Sequence, residues 1–223
     1  MYSKDKELYY TQGDLMSQII LILAPHTDDG ELSMGGSIAK FVEKKREVYL
    51  VAFSSARASL KDEVEENILI KEINKASAVL GLSKDHLIIY NYEVRKFSYY
   101  RQDILEDLVK LRQKINPDII FLPSPHDLHQ DHTTISQEGI RAFKTDSLLG
   151  YELPWNNITF RTQCFNVLEE SHIQKKIEAL YCYKSQSYRG YLNPEFIRGL
   201  AIARGVQVKE KYAEAFEVIR WKL

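Results

Sequence analysis

Short apolar runs alternate with amphipathic segments through the first two thirds of the chain. Four runs have the length and composition of buried strands, at residues 18–24, 47–54, 86–92 and 118–124. Between them, apolar residues recur at i, i+3 and i+4, which predicts helices within residues 31–46, 61–81 and 101–115. Alternating helices and near-continuous apolar strands predict a mainly parallel sheet with helices on both faces, a three-layer Rossmann-like α/β fold.

The last third of the chain is less regular. Its pattern predicts strand structure, two helices and a final strand, at residues 148–168, 171–187, 193–208 and 214–221. Asn193 and Pro194 have the residue types of a helix cap and a first helical position. No repeat, linker or low-complexity tract divides the sequence, so we expect one domain over residues 1–223.

Composition and charge narrow the class of protein. With 44% hydrophobic and 27% charged residues, the composition of the chain is typical of globular proteins. Its net charge of -1 provides no positive electrostatic potential that would attract nucleic acid. Two cysteines, Cys164 and Cys182, are too few to staple the domain and favour a reducing compartment. The N-terminal residues are polar, and no apolar stretch reaches the ~18 residues of a membrane span. We therefore expect a cytoplasmic protein without a membrane span.

Two polar clusters each follow a predicted strand. "PHTDD" at residues 25–29 follows the first strand, and "PSPHDLHQDH" at residues 123–132 follows the fourth. Together they contain four histidines and four aspartates, His26, His126, His129, His132, Asp28, Asp29, Asp127 and Asp131. Because ligands bind at the carboxyl ends of parallel strands, we expect these side chains to meet at one edge of the sheet.

The spacing within the clusters indicates a metal site. His26 and Asp29 are three residues apart, as are His129 and His132, which turns each pair to one side where a helix begins. Two imidazoles and a carboxylate with an open fourth position suit a catalytic Zn²⁺, and the same set suits Fe²⁺. A single cluster of this kind is also typical of a capped helix with an acidic first turn. The second cluster favours the metal.

"PHTDDGELSMGGSIAKF" together with "HDLHQDH" resembles the PIG-L (LmbE-like) family, metal-dependent deacetylases that act on N-acetylglucosaminyl groups and related amides. Residues 176–186 and 212–220 resemble the closing helix and terminal strand of that family. Two departures stand out, Thr27 where the family has proline and Gly30 where a glutamate usually follows the aspartate pair. Glu31 comes one position later, in a first helical turn where a carboxylate suits the helix dipole. The departures mark a subgroup variant and bear on the identity of the substrate more than on the reaction.

The resemblance implies a role for each residue of the motifs. The implied metal ligands are His26, Asp29 and His132. Asp28 would be the general base, which takes a proton from metal-activated water. His129 would polarise the amide oxygen or protonate the leaving amine, and Asp131 would orient an imidazole.

Substrate contacts are expected from three further residues. Arg57 follows the second strand, and Gln186 and Arg189 lie in the tyrosine-rich "YKSQSYRGY", which could line a sugar pocket. The predicted activity is Zn²⁺-dependent removal of an acetyl group from an acetamido sugar or glycoconjugate. Aromatic segments near Trp155 and Trp221 are candidates for an interface with a second copy of the chain.

Two alternatives remain open from the sequence. A phosphoesterase could use the same metal, although few lysines or arginines occur in the two clusters to clamp a phosphoryl group. A catalytically silent binding protein would be expected to lack a ligand or the base, whereas all five of those residues are present: His26, Asp28, Asp29, His129 and His132.

Overall fold

A computed structural model describes residues 18–55, 65 and 67–222. Within them the strands are β1 (Ile19–His26), β2 (Glu47–Ser54), β3 (Leu87–Ile89), β4 (Ile119–Pro123), β5 (Ser147–Tyr151), β6 (Cys164–Leu168) and β7 (Tyr212–Arg220). The α-helices there are α1 (Asp29–Glu43), α2 (Ile68–Leu80), α3 (Arg101–Ile115), α4 (Gln130–Ala142), α5 (Glu170–Leu180) and α6 (Pro194–Val206).

All the strands join one sheet in the order β3-β2-β1-β4-β5-β7-β6. The first five strands in this order are mutually parallel, and β7 runs antiparallel to both β5 and β6. The predicted mainly parallel α/β fold is confirmed. β1 and β4 are neighbours, so the two polar clusters that follow them leave the sheet at the same edge.

The interior strand β1 separates two hydrophobic cores. Ile20 and Ile22 pack in the core that contains α1, α2, α5 and α6, while Leu21 and Leu23 pack in the core of α3 and α4. All four side chains are fully buried, which explains why the strand is apolar at consecutive positions. Burying each contributes roughly 1.5–3 kcal/mol to stability. The sheet therefore supports a rigid edge at the end of β1.

α1 is held against β6 and β7, which fixes the position of its first residues. Met34 departs from helical backbone (φ -140°, ψ 28°). Just beyond it, the backbone N–H groups of Gly36 and Ser37 donate to the Glu214 carboxylate, at 3.1 and 2.7 Å. A Cβ at position 36 would lie 2.6 Å from Leu168 Cδ1, so a larger residue there would require the Leu168 side chain to shift.

Several element predictions need correction. The spacing of His129 and His132 anticipated only a helix start, and the extent of α4 to Ala142 was not predicted, because its buried face carries polar residues such as Thr134 and Glu138 instead of an apolar stripe. The strand region 148–168 is two short strands separated by irregular chain, and the helix predicted over 171–187 ends at Leu180. The Asn193 cap is confirmed, since its side chain accepts a hydrogen bond from the Glu195 N–H.

Other sequence-based expectations are tested in part. Cys164 and Cys182 are both free thiols, in keeping with a chain that is not stapled by a disulfide. Among the helices of the described residues, none has both the length and the apolar character that crossing a membrane requires. The cytoplasmic location and the single-domain extent over residues 1–223 stay predictions.

Candidate metal centre and substrate pocket

The two polar clusters meet at the carboxyl ends of β1 and β4. His26 ends β1, and Asp29 begins α1 two residues beyond Thr27. His129 caps α4 and His132 lies in its first turn. The side chains of His26, Asp29 and His132 are buried together although a hundred residues separate the clusters in sequence. The expected neighbourhood of the two clusters is confirmed.

Three donor atoms converge at this point. His26 Nδ1 lies 3.1 Å from Asp29 Oδ2, His132 Nε2 lies 3.2 Å from the same oxygen, and the two nitrogens are 3.3 Å apart. A tetrahedral ion with ligands at 2.0–2.1 Å requires donor atoms about 3.3 Å apart. The separations of these three atoms therefore fit a tetrahedral metal ion.

His129 lies beside the same centre. Donor nitrogens of His26, His129 and His132 all lie within 4.8 Å of one another, which makes these imidazoles a group that could hold a metal. The ring centroids of His129 and His132 are 4.5 Å apart. The geometry therefore offers two overlapping ligand sets, which share His26 and His132 and differ in Asp29 or His129.

Buried carboxylates orient the two shared imidazoles. Asp131 Oδ2 lies 3.0 Å from His26 Nε2 and also accepts the backbone N–H of Arg95 at 2.6 Å. Asp127 Oδ2 lies 2.8 Å from His132 Nδ1. When each carboxylate accepts an imidazole N–H, the other nitrogen presents its lone pair to the centre, an arrangement common around metal-binding histidines.

The electrostatics of the cluster favour positive charge at its centre. Burial alone would lower the pKa of His132, but Asp29 and Asp127 raise it to about 10. Burial alone would raise the pKa of Asp29, but His132 and His26 hold it well below its usual range. A buried site that favours both protonated imidazole and ionised carboxylate suits a cation, so the donor set fits a divalent metal.

His129 differs from the other two imidazoles. Its Nδ1 accepts the backbone N–H of Asp131 at 3.2 Å, so the neutral ring carries its proton on Nε2. Burial, reinforced by His132 and His26, lowers the pKa of His129 to about 4. At neutral pH the ring is therefore an uncharged hydrogen-bond donor.

Asp28 lies beside the donor atoms and lines the same pocket. Burial raises its pKa to about 6, with a further contribution from Asp29 and opposition from His26 and Arg189. Such a carboxyl group exchanges its proton readily near neutral pH, which is the property required of a general base.

A pocket of about 210 Å³ opens above the cluster. Its walls include Trp155, Asn156, Gln186, Arg189 and Tyr191. The rings of Trp155 and Tyr191 stack with centroids 4.2 Å apart and an interplanar angle of 9°. Because the volume lies below the ~300 Å³ of drug-sized pockets, it suits a group of monosaccharide size.

The predicted substrate residues have different outcomes. The structure places Gln186 and Arg189 in the pocket wall, while Arg57 lies outside the described residues. Trp155 lines the pocket, and the interface predicted near Trp155 and Trp221 stays a prediction. His126 is half exposed with Nε2 4.0 Å from Glu217, outside the pocket lining.

Sequence reasoning missed the pocket residues Val94 and Arg95 and gave no role to Asn156. All three lie in irregular segments with no motif. Only the preceding strand ends, at β3 and β5, signal that these segments reach the ligand-binding edge.

Glu31 lies in the first turn of α1, as expected, but its side chain is 0% exposed. Its Oε1 lies 3.0 Å from the Tyr183 hydroxyl, which also donates to the Thr27 carbonyl at 2.6 Å, and its Oε2 has no partner among the described residues. Burial raises the pKa of Glu31 to about 8. The sequence suggested that an ionised Glu31 interacts with the dipole of α1. That interaction does not account for a buried carboxyl group that is neutral at pH 7.

Substituting Glu31 tests this protonation. The folded state holds a proton that the unfolded state loses above its pKa near 4.5, so wild-type stability should decline between pH 4.5 and about 8. Glu31→Gln should make that decline smaller, because glutamine is neutral throughout and only the other groups with raised pKa values, such as Asp28, still contribute. Glu31→Ala, which leaves a cavity, should cost about 1–3 kcal/mol. Thermal denaturation across this pH range measures both effects; an unchanged decline in Glu31→Gln would contradict the assignment.

A parallel sheet that gathers imidazoles and carboxylates at the carboxyl ends of two adjacent strands defines an α/β protein with a candidate metal centre. The sequence model of the PIG-L family, described as GlcNAc-PI de-N-acetylase, matches residues 21–143, more than half of the chain. The chain therefore belongs to the PIG-L family of deacetylases, and the match includes both polar clusters.

Individual proteins show the same relationship. An uncharacterised deacetylase of Escherichia coli K12, YaiS, is 27% identical over 172 residues, covering 74% of this chain and 90% of its own. An N,N'-diacetylchitobiose deacetylase from Pyrococcus horikoshii superposes with a TM-score of 0.76 at 21% identity, covering 91% of this chain and 84% of its own.

The fold is also found outside the deacetylases. GalB, a 4-carboxy-2-hydroxymuconate hydratase from Pseudomonas putida KT2440, superposes with a TM-score of 0.76 at 20% identity, covering 92% of this chain and 98% of its own. The likeness to these two solved structures establishes the fold alone. The reaction must be argued from the site.

Proposed function

We propose that this protein is a zinc-dependent N-deacetylase that hydrolyses the acetamido group of a sugar or glycoconjugate. The observation that carries the proposal is the convergence of His26 Nδ1, Asp29 Oδ2 and His132 Nε2 at tetrahedral spacing beside a pocket that Asp28 lines. The PIG-L family match supports deacetylation, and the chitobiose deacetylase with the same fold supports an acetamido sugar.

His26, Asp29 and His132 would hold the ion, and Asp131 and Asp127 would orient the two imidazoles. Fe²⁺ or another divalent metal is an alternative to Zn²⁺ for this ligand set. A bound Zn²⁺ would lower the pKa of water from 15.7 to about 7 and polarise the substrate carbonyl.

Asp28 would act as the general base. Its carboxyl group forms no ion pair within the described residues and faces the pocket, so it is available to take a proton from water. A pKa of about 6 also allows the protonated group to return that proton to the leaving nitrogen. One carboxyl group thereby serves both steps of amide hydrolysis.

His129 would donate Nε2–H to the amide oxygen. The sequence left two roles open, polarising this oxygen or protonating the amine. A pKa near 4 leaves His129 neutral at physiological pH, and the Asp131 N–H holds it in the donor tautomer. Both properties favour the oxygen, where a donor stabilises the charge that develops in the transition state.

The pocket wall would bind the sugar. Gln186 and Arg189 present polar groups, Trp155 and Tyr191 present a stacked aromatic surface, and Arg57 is proposed to join them. Amphipathic rings with a few directional polar groups are suited to a sugar, which has apolar faces and hydroxyl edges.

A metal-dependent phosphoesterase is the second candidate. The scarcity of cations in the two polar clusters counted against it, but the fold brings Arg95 and Arg189 into the pocket from other segments. Guanidinium groups are effective clamps for phosphoryl oxygens. This observation keeps the alternative open for experiment.

Parallel assays should separate these functions. The protein reconstituted with Zn²⁺ or Fe²⁺ is incubated with N-acetylglucosamine, N,N'-diacetylchitobiose and p-nitrophenyl phosphate. We expect acetate and free amine in equal amounts, and about one metal ion per chain by elemental analysis. Phosphate release without acetate would support the phosphoesterase, and stoichiometric metal without either product would support a binding protein.

A further inference from the structure

Two arginines from separate segments line the pocket above the candidate metal centre. Arg95 follows β3, and Arg189 lies between α5 and α6. Neither guanidinium group forms an ion pair with a carboxylate in the part of the chain that the structure describes. Elsewhere in that part, several arginines are ion-paired, including Arg101, Arg112 and Arg204. Arg189 lies near enough to Asp28 to lower the pKa of that carboxyl group, but in the described residues no carboxylate contacts either guanidinium group directly.

The backbone of Arg95 is anchored to the candidate metal centre. Its φ of +69° lies in the left-handed region, which residues other than glycine adopt uncommonly. Asp131 stabilises this backbone conformation, because its carboxylate accepts the Arg95 N–H at 2.6 Å and also contacts the His26 imidazole. The exposed Arg95 side chain thus starts from a fixed point on the rim of the pocket.

The part of the pocket wall formed by Gln186 and Arg189 has buried polar atoms without hydrogen-bond partners in the described residues. Gln186 is only 2% exposed, and its Oε1 has no hydrogen-bond partner among the described residues. Arg189 donates from Nη1 to the Tyr191 hydroxyl at 2.7 Å, while its Nε is buried without a partner there. Buried polar groups are costly unless they are paired, so Gln186 and Arg189 give this wall a polar character beside the pocket.

We propose that the acetamido substrate carries an acidic group, a phosphate or a carboxylate, which Arg95 and Arg189 bind at the pocket walls. This inference rests on the proposed deacetylase function. Guanidinium groups match the geometry of both oxyanions and bind them through paired charge-assisted hydrogen bonds.

The distribution of charge also orients such a substrate. Asp28 and Asp29 lie at the floor of the pocket and repel an acidic group, whereas the arginines attract it to the walls. The acetamido group of the substrate would then point towards the candidate metal centre. An acidic group would in this way select which end of the substrate reaches Asp28.

Matched substrates test the proposal. Acetate release is measured for N-acetylglucosamine, its 1-phosphate, its 6-phosphate and N-acetylmuramic acid, which carries a carboxylate. We expect kcat/KM for at least one acidic substrate to exceed that for N-acetylglucosamine by about 10- to 100-fold, as one charge-assisted contact allows. Added salt should reduce the preference. The phosphate and carboxylate substrates show which anion is preferred.

Three variants assign the preference to the arginines. Arg95→Gln and Arg189→Gln should each lower the ratio of kcat/KM for the preferred acidic substrate to that for N-acetylglucosamine. The ratio isolates recognition of the acid, because both substrates share the same amide chemistry. Lys96→Gln is the matched control, since Lys96 neighbours Arg95 but pairs with Glu93 at 2.6 Å. Its ratio should equal that of the wild type.

Failure of this inference and failure of the proposed function give different results. If N-acetylglucosamine is cleaved as well as every acidic substrate, the acidic-substrate proposal is wrong and the deacetylase stands. If no acetate is released by the metal-loaded protein, calorimetry with glucosamine and glucosamine 6-phosphate still decides the inference. Equal affinity for the two ligands, or a preference that survives in both arginine variants, would overturn it.

Discussion

Replacing Asp28 by Asn is expected to lower kcat for deacetylation by about 10²- to 10⁴-fold while leaving the metal content unchanged. Asparagine has the shape of aspartate but cannot take a proton from water. Asp28 lies next to the proposed ligands without supplying one of the three converging donor atoms, so the metal should remain bound. Steady-state kinetics and elemental analysis of the same preparation measure the two effects together.

The pH dependence provides a second readout for Asp28. Burial raises its pKa to about 6, so its base form predominates above that pH and is lost as the pH falls. Wild-type kcat/KM should therefore decline on the acid side, and a bound cation, which favours the ionised form, would move that limb lower. Asp103→Asn, on the exposed face of α3, is the control and should retain wild-type kinetics. Wild-type turnover by Asp28→Asn would refute the assignment of the base.

Replacing His132 by Ala is expected to remove both metal binding and activity. His132 is 2% exposed and its Nε2 lies close to both Asp29 and His26, so the variant loses one of three converging donors. Wild-type protein should gain thermal stability on addition of Zn²⁺ and lose it on addition of a chelator, because a ligand that binds only the folded state stabilises it. The variant should show neither shift.

Two further variants decide between the overlapping ligand sets. If Asp29 completes the site, His129→Ala should keep the metal and lose activity, whereas Asp29→Ala should lose the metal. If the three imidazoles hold the ion, the pattern reverses. Asp127→Asn, which alters the partner of His132 Nδ1, should weaken metal affinity by about 10- to 100-fold without abolishing it.

The shared fold of deacetylases and a hydratase limits what architecture alone implies. The sheet places any side chain that follows β1 or β4 at the same edge, whatever reaction occurs there. The neutral donor tautomer of His129 and the raised pKa of Asp28 are properties of this site. They make amide hydrolysis the function that the geometry supports best.

Some of the molecule was predictable from local pattern alone. Apolar runs indicated β1, β2 and β4, because a strand buried on both faces is apolar at every position. Helix α4 was not predictable in this way, since part of its buried face is polar and serves the site. Where function uses buried polar residues, the hydrophobic period that indicates a helix is lost.

The sequence by itself determined the alternation of strands and helices up to β4, the two polar clusters and their common edge, because strand polarity and side-chain period are encoded in neighbouring residues. Only the tertiary structure decided which carboxylate orients which imidazole, that Glu31 is buried beneath Asp28, and that Arg95 and Trp155 reach the pocket. These contacts join segments far apart in the chain, so they depend on how helices and loops pack across the sheet, which no local pattern specifies.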